Sequence, residues 1–166
     1  MLYSPLRLSE CVFEVVLHAH KTVLAHGLDT GNERVIVIDK ETGEILYDHT
    51  DNSPHGVSFE IPNDYNGYVI TIHNHPKDNP FSTLDIFTLM DIPVNECSVI
   101  QAHNGKVYML RKLEIAKYDL DKLYFDDLFY EFIDLEENGA KSFPVQQKDF
   151  IDVIAKLFSL EYREVD

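Results

Sequence analysis

A run of β-branched and apolar residues from Gly67 to His75 (GYVITIHNH) limits the choice of fold more than any other segment. The run is typical of a buried strand, and Pro76 ends it because proline has no N–H to donate to a sheet ladder. After a short loop, residues from Ser82 to Asp91 have the spacing of a helix. A buried strand that leads into a helix indicates a sheet packed against helices.

Other parts of the chain show the same alternation. Apolar residues recur at helical spacing from Pro5 to His26, and Gly27 is the expected end of that helix. Further strands are predicted at Glu33–Asp39, Ile45–Tyr47, Ser98–His103 and Lys106–Arg111. Asn104 and Gly105 form a two-residue hairpin signal between the last two strands. The first two thirds of the chain therefore contain both predicted helices and predicted strands.

The last third of the chain differs in character. Residues 113–166 are acidic and have helical periodicity, so we predict one domain at residues 1–112 and an acidic helical C-terminal extension at residues 113–166. The extension carries an aromatic stripe made of Tyr124, Phe125, Phe129, Tyr130 and Phe132. Such a stripe is more often core than interface. Because aromatic residues also lie on neighbouring helix faces, the alternative is that these helices bind a protein partner.

Charge excludes some classes of partner. The chain has 14 Lys+Arg against 29 Asp+Glu, a formal net charge of -15, and no run of basic residues. Such a surface repels phosphate backbones and anionic lipids, so we expect no nucleic-acid partner and no membrane partner. No apolar stretch approaches the roughly 18 residues of a membrane span.

Cysteine usage and the first residues of the chain suggest a compartment. Cys11 and Cys97 lie far apart, and a disulfide scaffold uses many more cysteines, so both are predicted to be free thiols. The opening residues MLYSPLRLSE lack the basic-then-apolar pattern of a signal peptide. The expected location is the cytoplasm.

Two histidines at the end of the buried strand suggest a metal site. Residues i and i+2 of a strand point to the same face, so His73 and His75 project together. Asp85 is expected in the first turn of the following helix, where it can point back toward them. Two imidazoles and one carboxylate are three ligands for a zinc-type ion. The fourth position then stays open for water, as in catalytic zinc sites.

Each half of this pattern also has an ordinary structural interpretation. A single His-x-His is common and need not bind metal. Ser82-x-x-Asp85 also fits a helix N-cap with an acidic residue at the third position, close to a capping box. The two interpretations are compatible, because Ser82 can cap while Asp85 ligates. The combination at this spacing favours the metal site.

The segment HNHPKDNPFSTLD resembles the signature of the JAMM metalloenzymes (the MPN or JAB domain), which is His-x-His-Pro, a short loop, then Ser-x-x-Asp. The resemblance covers about residues 28–112, is strongest at 68–86, and is nearest to bacterial and phage-type members. Six residues separate His75 from Ser82, where the common family pattern has seven. The resemblance implies an α/β fold with a central mixed β-sheet flanked by helices, in the cytidine-deaminase-like MPN arrangement. It also implies that His73, His75 and Asp85 bind Zn²⁺ and that Ser82 stabilises an oxyanion.

The resemblance also implies a glutamate from an earlier strand as general acid/base. Glu33 is our choice, because it begins the ERVIVID strand and shares a face with Val35 and Val37. Glu60, close to the metal strand in sequence, is the alternative. Glu41 and Glu44 flank a turn and are expected to be exposed.

The activity implied is zinc-dependent hydrolysis of a peptide or isopeptide bond by a JAMM-type metallopeptidase, with deubiquitinase-like chemistry included. The partner would be a protein or peptide substrate, of which ubiquitin-like proteins are one class. The alternatives are a non-catalytic MPN-like scaffold and a RadC-like protein. A zinc nucleobase deaminase is disfavoured, because its His-x-Glu and Pro-Cys-x-x-Cys motifs are absent. A second metal site at His18, His20 and His26 is also disfavoured by their spacing.

Overall fold

A computed structural model describes residues 2–114, 122–135 and 143–166. In these residues a six-stranded mixed sheet is flanked by four α-helices, as the α/β expectation requires. In chain order the elements are α1 (Glu10–Thr30), β1 (Val35–Asp39), β2 (Ile45–His49), β3 (Val69–His75), α2 (Thr83–Asp91), β4 (Asn95–Ala102), β5 (Val107–Lys112), α3 (Lys122–Leu135), α4 (Phe143–Leu157) and β6 (Leu160–Val165). A single 3-10 turn at Ser4–Leu6 precedes α1.

The strands lie in the order β2-β1-β3-β4-β5-β6. Only the central pair, β3 and β4, is parallel, and α2 makes the crossover between them. Every other neighbouring pair in this sheet is antiparallel. Both strands of the parallel pair are buried along their whole length, as is usual where helices cover both sides of a sheet. The two histidines therefore lie on the most enclosed strand.

The two faces of the sheet have different cores. On one face, Ile70 and Ile72 of β3 pack with Val16 and Val23 of α1. On the other face, β4 and β5 pack against α2, α3 and α4 in a second cluster that contains Phe81. Because side chains alternate along a strand, His73 and His75 point away from α1 and toward the α2 face. The fold thus places them beneath the start of α2.

The first helix begins and ends later than expected. It runs from Glu10 to Thr30, whereas the periodicity predicted Pro5 to His26, and Pro5 belongs to the separate 3-10 turn. The prediction that Gly27 ends the helix was wrong. Gly31 ends it, with a left-handed φ of 74°, and donates its N–H to the Gly27 carbonyl at 2.8 Å. Gly27 lies inside the helix, where it serves close packing.

The strands and the second helix follow the predictions closely. β1 and β3 each begin two residues later than the predicted strands, so Glu33 precedes β1. α2 begins at Thr83, with Ser82 as its N-cap. The apolar residues 57–61 have no regular secondary structure.

The C-terminal segment is not purely helical. After α4 the chain returns to the sheet as β6, which pairs antiparallel with β5, for example Met109 with Arg163. The sequence LEYREV gives little strand signal, because three of its six residues are charged. Phe125 and Phe150 of the extension pack in the same cluster as Phe81. The boundary between residues 112 and 113 stays a prediction, and the side chain of Phe132 lies outside the described residues.

Two further expectations concern the whole chain. Cys11 is exposed and Cys97 is buried, and both are free thiols, as predicted. Across the parts of the chain that the structure describes, no helix has the length and apolar character needed to cross a membrane.

Candidate metal centre

The imidazoles of His73 and His75 converge on the α2 face of β3. Their Nε2 atoms are 3.0 Å apart, and both side chains are buried. Hydrogen bonding from β1 on one side and β4 on the other fixes the backbone of β3. The strand thus presents two nitrogen donors at a fixed spacing, as the i, i+2 pattern predicts.

Asp85 reaches the site from the first turn of α2. Its Oδ2 accepts hydrogen bonds from the Ser82 N–H at 2.7 Å and from the Ser82 Oγ–H at 2.6 Å. Its own N–H donates to Ser82 Oγ at 3.2 Å, which completes a capping box. The cap fixes the rotamer of Asp85 and leaves Oδ1 outside these bonds.

The capped carboxylate also faces both imidazoles. Asp85 Oδ1 lies 3.3 Å from His73 Nε2, and Oδ2 lies 3.5 Å from His75 Nε2. The structure therefore brings together the three side chains predicted as metal ligands. Oδ1 faces His73 and takes no part in the cap, while Oδ2 accepts the Ser82 hydrogen bonds and also faces His75, so the capped carboxylate remains directed at both imidazoles.

Glu33 approaches the histidines from the segment just before the neighbouring strand, β1. Val35 of β1 lies opposite His73, and Glu33, two residues earlier, is on the same face. Ligand atoms of Glu33, His73 and His75 all lie within 4.8 Å of one another, so this buried group could hold a metal ion. The alternative, Glu60, is exposed and is not among the residues that line the cleft.

A backbone carbonyl sets the orientation of His75. Its Nδ1 donates to the Asn79 carbonyl at 2.9 Å, which leaves the lone pair of Nε2 directed at Asp85 and His73. Metal-binding histidines commonly use their second nitrogen in this way. Sequence reasoning did not identify Asn79, because its contribution is a main-chain atom.

Burial and charge shift the acidities of the carboxyl groups in opposite directions. Burial raises the pKa of Glu33 to about 7; the charge of Asp85 adds to this, and His73 opposes it. Burial would also raise the pKa of Asp85, but His73, His75 and the Ser82 hydrogen bond outweigh it and hold that pKa well below its usual range. Asp85 is thus ionised at neutral pH, while Glu33 exchanges a proton near neutral pH.

The same forces act on the histidines. Burial lowers the pKa of His75. It would also lower the pKa of His73, but the charge and hydrogen bond of Asp85 outweigh it and raise that pKa. A proton on His73 therefore competes with a cation for the same nitrogen.

The donor atoms of the three side chains lie close enough to approach a common ion. Donors about 2.0–2.1 Å from zinc lie roughly 3.3–3.4 Å from one another at the corners of a tetrahedron. Here the two Nε2 atoms are 3.0 Å apart, and each lies near a different oxygen of Asp85, His73 at 3.3 Å from Oδ1 and His75 at 3.5 Å from Oδ2. Two imidazoles and one carboxylate also form a ligand set typical of catalytic zinc.

A cleft of about 520 Å³ opens at this group. One wall comes from the irregular segment that contains Val57 and Phe59, and the other comes from Leu84 of α2. Thr71 and Ser98 line the same cleft and are joined by a hydrogen bond of 3.1 Å. Most of the residues that line the cleft have polar or charged side chains, and the apolar ones lie among them.

One lining residue, Gln147, comes from α4 in the C-terminal extension. Its side chain is buried, and it brings the extension to the edge of the site. No sequence signal linked Gln147 to the histidines, because the contact joins residues far apart in the chain.

The histidines of α1 do not form a second site. His20 is buried on the opposite face of the sheet, where it bonds to the hydroxyl of Tyr3 and, at 2.9 Å, to Oε1 of Gln101. His18 is exposed, and His26 lies 3.3 Å from the Thr30 hydroxyl. Within the described part of the chain, none of the three belongs to a group close enough to share an ion.

In comparisons with known proteins, the chain matches no family model, no curated protein and no solved structure. The case for a function therefore depends on the residues of the site and on their geometry.

Proposed function

We propose that this chain is a zinc-dependent hydrolase of the JAMM type that cleaves a peptide or isopeptide bond. The observation that carries the proposal is the meeting of His73, His75 and Asp85, with donor atoms 3.0–3.5 Å apart, beside the carboxylate of Glu33. This arrangement supplies three ligands and a separate acid/base group at one end of a cleft.

His73, His75 and Asp85 would hold the ion. A bound Zn²⁺ supplies Lewis acidity, which lowers the pKa of water toward about 7 and polarises a carbonyl group. The chain's part is to fix the ligands before the ion arrives. The ladder of β3 fixes the imidazoles, the Asn79 carbonyl orients His75, and the cap at Ser82 orients Asp85.

Glu33 is the proposed general base and general acid. A carboxyl group with a pKa of about 7 accepts and returns a proton with little cost at neutral pH. Glu33 removes a proton from the water whose oxygen bonds to the carbonyl carbon. It then gives that proton to the amine nitrogen as the C–N bond breaks.

Ser82 is the proposed hydrogen-bond donor to the oxyanion. In the structure its hydroxyl donates to Asp85 Oδ2, with 2.6 Å between the two oxygen atoms. Rotation of this hydroxyl, without movement of the backbone, would direct the hydrogen toward the carbonyl oxygen of a substrate. A donor of this kind contributes most when charge develops on that oxygen.

The proposed partner is a protein or peptide substrate, and ubiquitin-like conjugates belong to that class. Val57, Phe59 and Leu84 offer apolar contacts to a bound peptide, and the polar side chains of the same cleft offer hydrogen-bond partners to its backbone. The two free thiols suit a reducing compartment, so we expect the activity in the cytoplasm.

Metal content of protein never exposed to a chelator is the first test. Elemental analysis should find about one zinc per chain, and the substitution His75→Ala should abolish that stoichiometry. His18→Ala is the matched control, because His18 is an exposed imidazole on α1, behind the sheet. Zinc retained at the wild-type level in His75→Ala would refute the ligand assignment.

Hydrolysis is the second test. The zinc-loaded protein should cleave at least one member of a panel of quenched fluorescent peptides and linear or lysine-linked ubiquitin conjugates. Glu33→Gln should keep the zinc and lower turnover by orders of magnitude. Zinc binding without cleavage of any conjugate would favour a scaffold on the same fold. Unchanged turnover in Glu33→Gln would move the acid/base role to another residue.

A further inference from the structure

Asn74 lies between the two histidines but points to the opposite face of the sheet, and it is completely buried. Its Oδ1 accepts a hydrogen bond from the Arg34 N–H at 2.8 Å. Its Nδ2 donates to the Asn32 carbonyl at 3.0 Å. Asn74 therefore holds the main chain on both sides of Glu33 with one side chain.

The pair of bonds fixes the orientation of the Asn74 amide. The amide oxygen of Asn74 accepts from an N–H, and the amide nitrogen donates to a carbonyl. Exchanging the amide oxygen and nitrogen would therefore break both hydrogen bonds. The nitrogen also lies 3.1 Å from Nε2 of His103 at the end of β4. Neither aspartate nor a simple hydroxyl side chain reproduces this combination of one acceptor and one double donor.

Glu33 needs such support because it precedes the sheet ladder. The first residue of β1 is Val35, so Glu33 is not within the ladder that joins β1 to β3. On the side away from Asn74, its N–H donates to the Ser53 carbonyl at 2.8 Å, and its carbonyl accepts from the Thr50 hydroxyl at 2.7 Å. Loop 50–53 and Asn74 together hold this segment.

Gly27 provides the space for the Asn74 amide. A Cβ atom at this position would overlap both the Asn74 amide nitrogen and the imidazole of His103. The φ angle of Gly27 is not among the positive values of the chain, so the backbone does not require glycine here. A glycine in the middle of a helix is unfavourable by propensity, and here it allows the close approach of Asn74.

We propose that Asn74 is a positioning residue for Glu33, fixing the carboxylate beside His73 by holding the main chain at residues 32 and 34. The inference rests on the proposed function, because it takes Glu33 as the acid/base. Asn74 acts from the opposite face of the sheet and touches neither substrate nor ion. The histidines themselves are held by the backbone ladders of β3, which the Asn74 side chain does not supply.

The first experiment measures metal content, kcat and KM of the zinc-loaded Asn74→Ala variant. We expect unchanged zinc stoichiometry, a KM close to that of the wild type, and kcat lowered about 10- to 100-fold, as for a displaced catalytic group. In a Glu33→Gln background, Asn74→Ala should lower the residual turnover less than twofold, because the residue through which it acts is already disabled. Loss of zinc, or an equal loss of turnover in both backgrounds, would overturn the proposal.

A second experiment is independent of activity. Amide hydrogen exchange is measured at Glu33 and Arg34 in the wild type and in Asn74→Ala. The Arg34 amide loses its acceptor and must exchange faster. The proposal requires the Glu33 amide, whose acceptor is Ser53, to exchange faster as well. Unchanged protection at Glu33 would mean that the loop alone holds it, and would overturn the proposal even if no hydrolysis were ever found.

Two further variants separate positioning from a general loss of structure. Gly27→Ala favours the helix by propensity, yet it should displace the Asn74 amide and reproduce the kcat loss with zinc retained. Asn104→Ala is the matched control, because the Asn104 amide also accepts from a backbone N–H, that of Lys106 at 3.0 Å, but does not contact residues 32–34. Wild-type kcat in Gly27→Ala, or an Asn104→Ala loss equal to that of Asn74→Ala, would contradict the proposal.

Discussion

The side chain of Gln147 donates a hydrogen bond from Nε2 to the main-chain carbonyl of Phe81, 2.8 Å away in the buried interior. Phe81 is the residue before Ser82, the N-cap of α2. A second bond runs from the Thr83 hydroxyl to Asp126 Oδ1 of α3 at 2.7 Å. The two C-terminal helices thus hold the start of the helix that carries Asp85.

Substitution of Phe150 tests whether the extension belongs to the same core. Phe150 is 3% exposed, and its ring meets Phe125 and Phe129 edge-on at centroid distances of 5.7 and 5.0 Å. Phe150→Ala should lower the free energy of unfolding by about 3–5 kcal/mol in urea titrations, because it leaves a cavity. Leu157→Ala, on the exposed side of the same helix, should change it by less than about 0.5 kcal/mol. Equal effects would place Phe150 outside the cooperative core.

The local geometry of the site could be predicted from the sequence. His73 and His75 share a face because strand side chains repeat every two residues, and Ser82 with Asp85 forms a cap that helix starts commonly use. The placement of Asp85 near the strand follows from a loop of six residues. Each relation depends on neighbours in the sequence, so no knowledge of distant contacts was needed.

Relations between distant segments could not be predicted in the same way. Gly27 looked like a helix stop because glycine favours helix ends, whereas here it makes room for the side chain of Asn74. β6 was missed because its charged residues form surface pairs, such as Arg111 with Glu161 at 2.8 Å, instead of an apolar alternation. Tertiary packing, which the sequence pattern does not encode locally, decides both cases.

Ser82→Ala separates helix capping from catalysis. The substitution removes the acceptor of the Asp85 N–H and should lower the free energy of unfolding by about 1 kcal/mol. If Ser82 also donates to the oxyanion, turnover falls about 10²- to 10³-fold while zinc is retained. Ser9→Ala removes the equivalent cap of α1, whose side chain accepts from the Val12 N–H, and should cost similar stability with normal turnover. Equal turnover in the two variants would restrict Ser82 to capping.

Lys112 should make stability depend on alkaline pH. It is 1% exposed, its Nζ donates to the Ile92 carbonyl at 2.8 Å, and burial lowers its pKa to about 8, with Asp91 opposing. The unfolded chain holds this proton up to about pH 10.5. Stability should therefore rise with pH between about 8 and 10.5. Lys112→Met should abolish that rise and stabilise the protein at pH 7 by about 1 kcal/mol in urea titrations, because no buried charge remains. Lys156→Met is the control: Lys156 is exposed, so this variant should keep the rise in stability at alkaline pH and should not be stabilised at pH 7.

The raised pKa of Glu33 predicts that the stability of the metal-free protein depends on pH. Burial raises its pKa from 4.5 to about 7, so the folded state keeps a proton that the unfolded chain releases. Stability should fall as the pH rises from about 4.5 to 7 and then stay level. The glutamine of Glu33→Gln stays neutral at every pH, so this variant and the wild type should be equally stable near pH 4. At pH 8 the variant should be more stable, by an amount on the order of 3 kcal/mol, because each pKa unit corresponds to about 1.4 kcal/mol. Exposed Glu60→Gln is the control and should follow the wild-type profile. Urea titrations across this pH range that show no advantage for Glu33→Gln at pH 8 would mean that the carboxyl group is ionised and solvated in the folded protein.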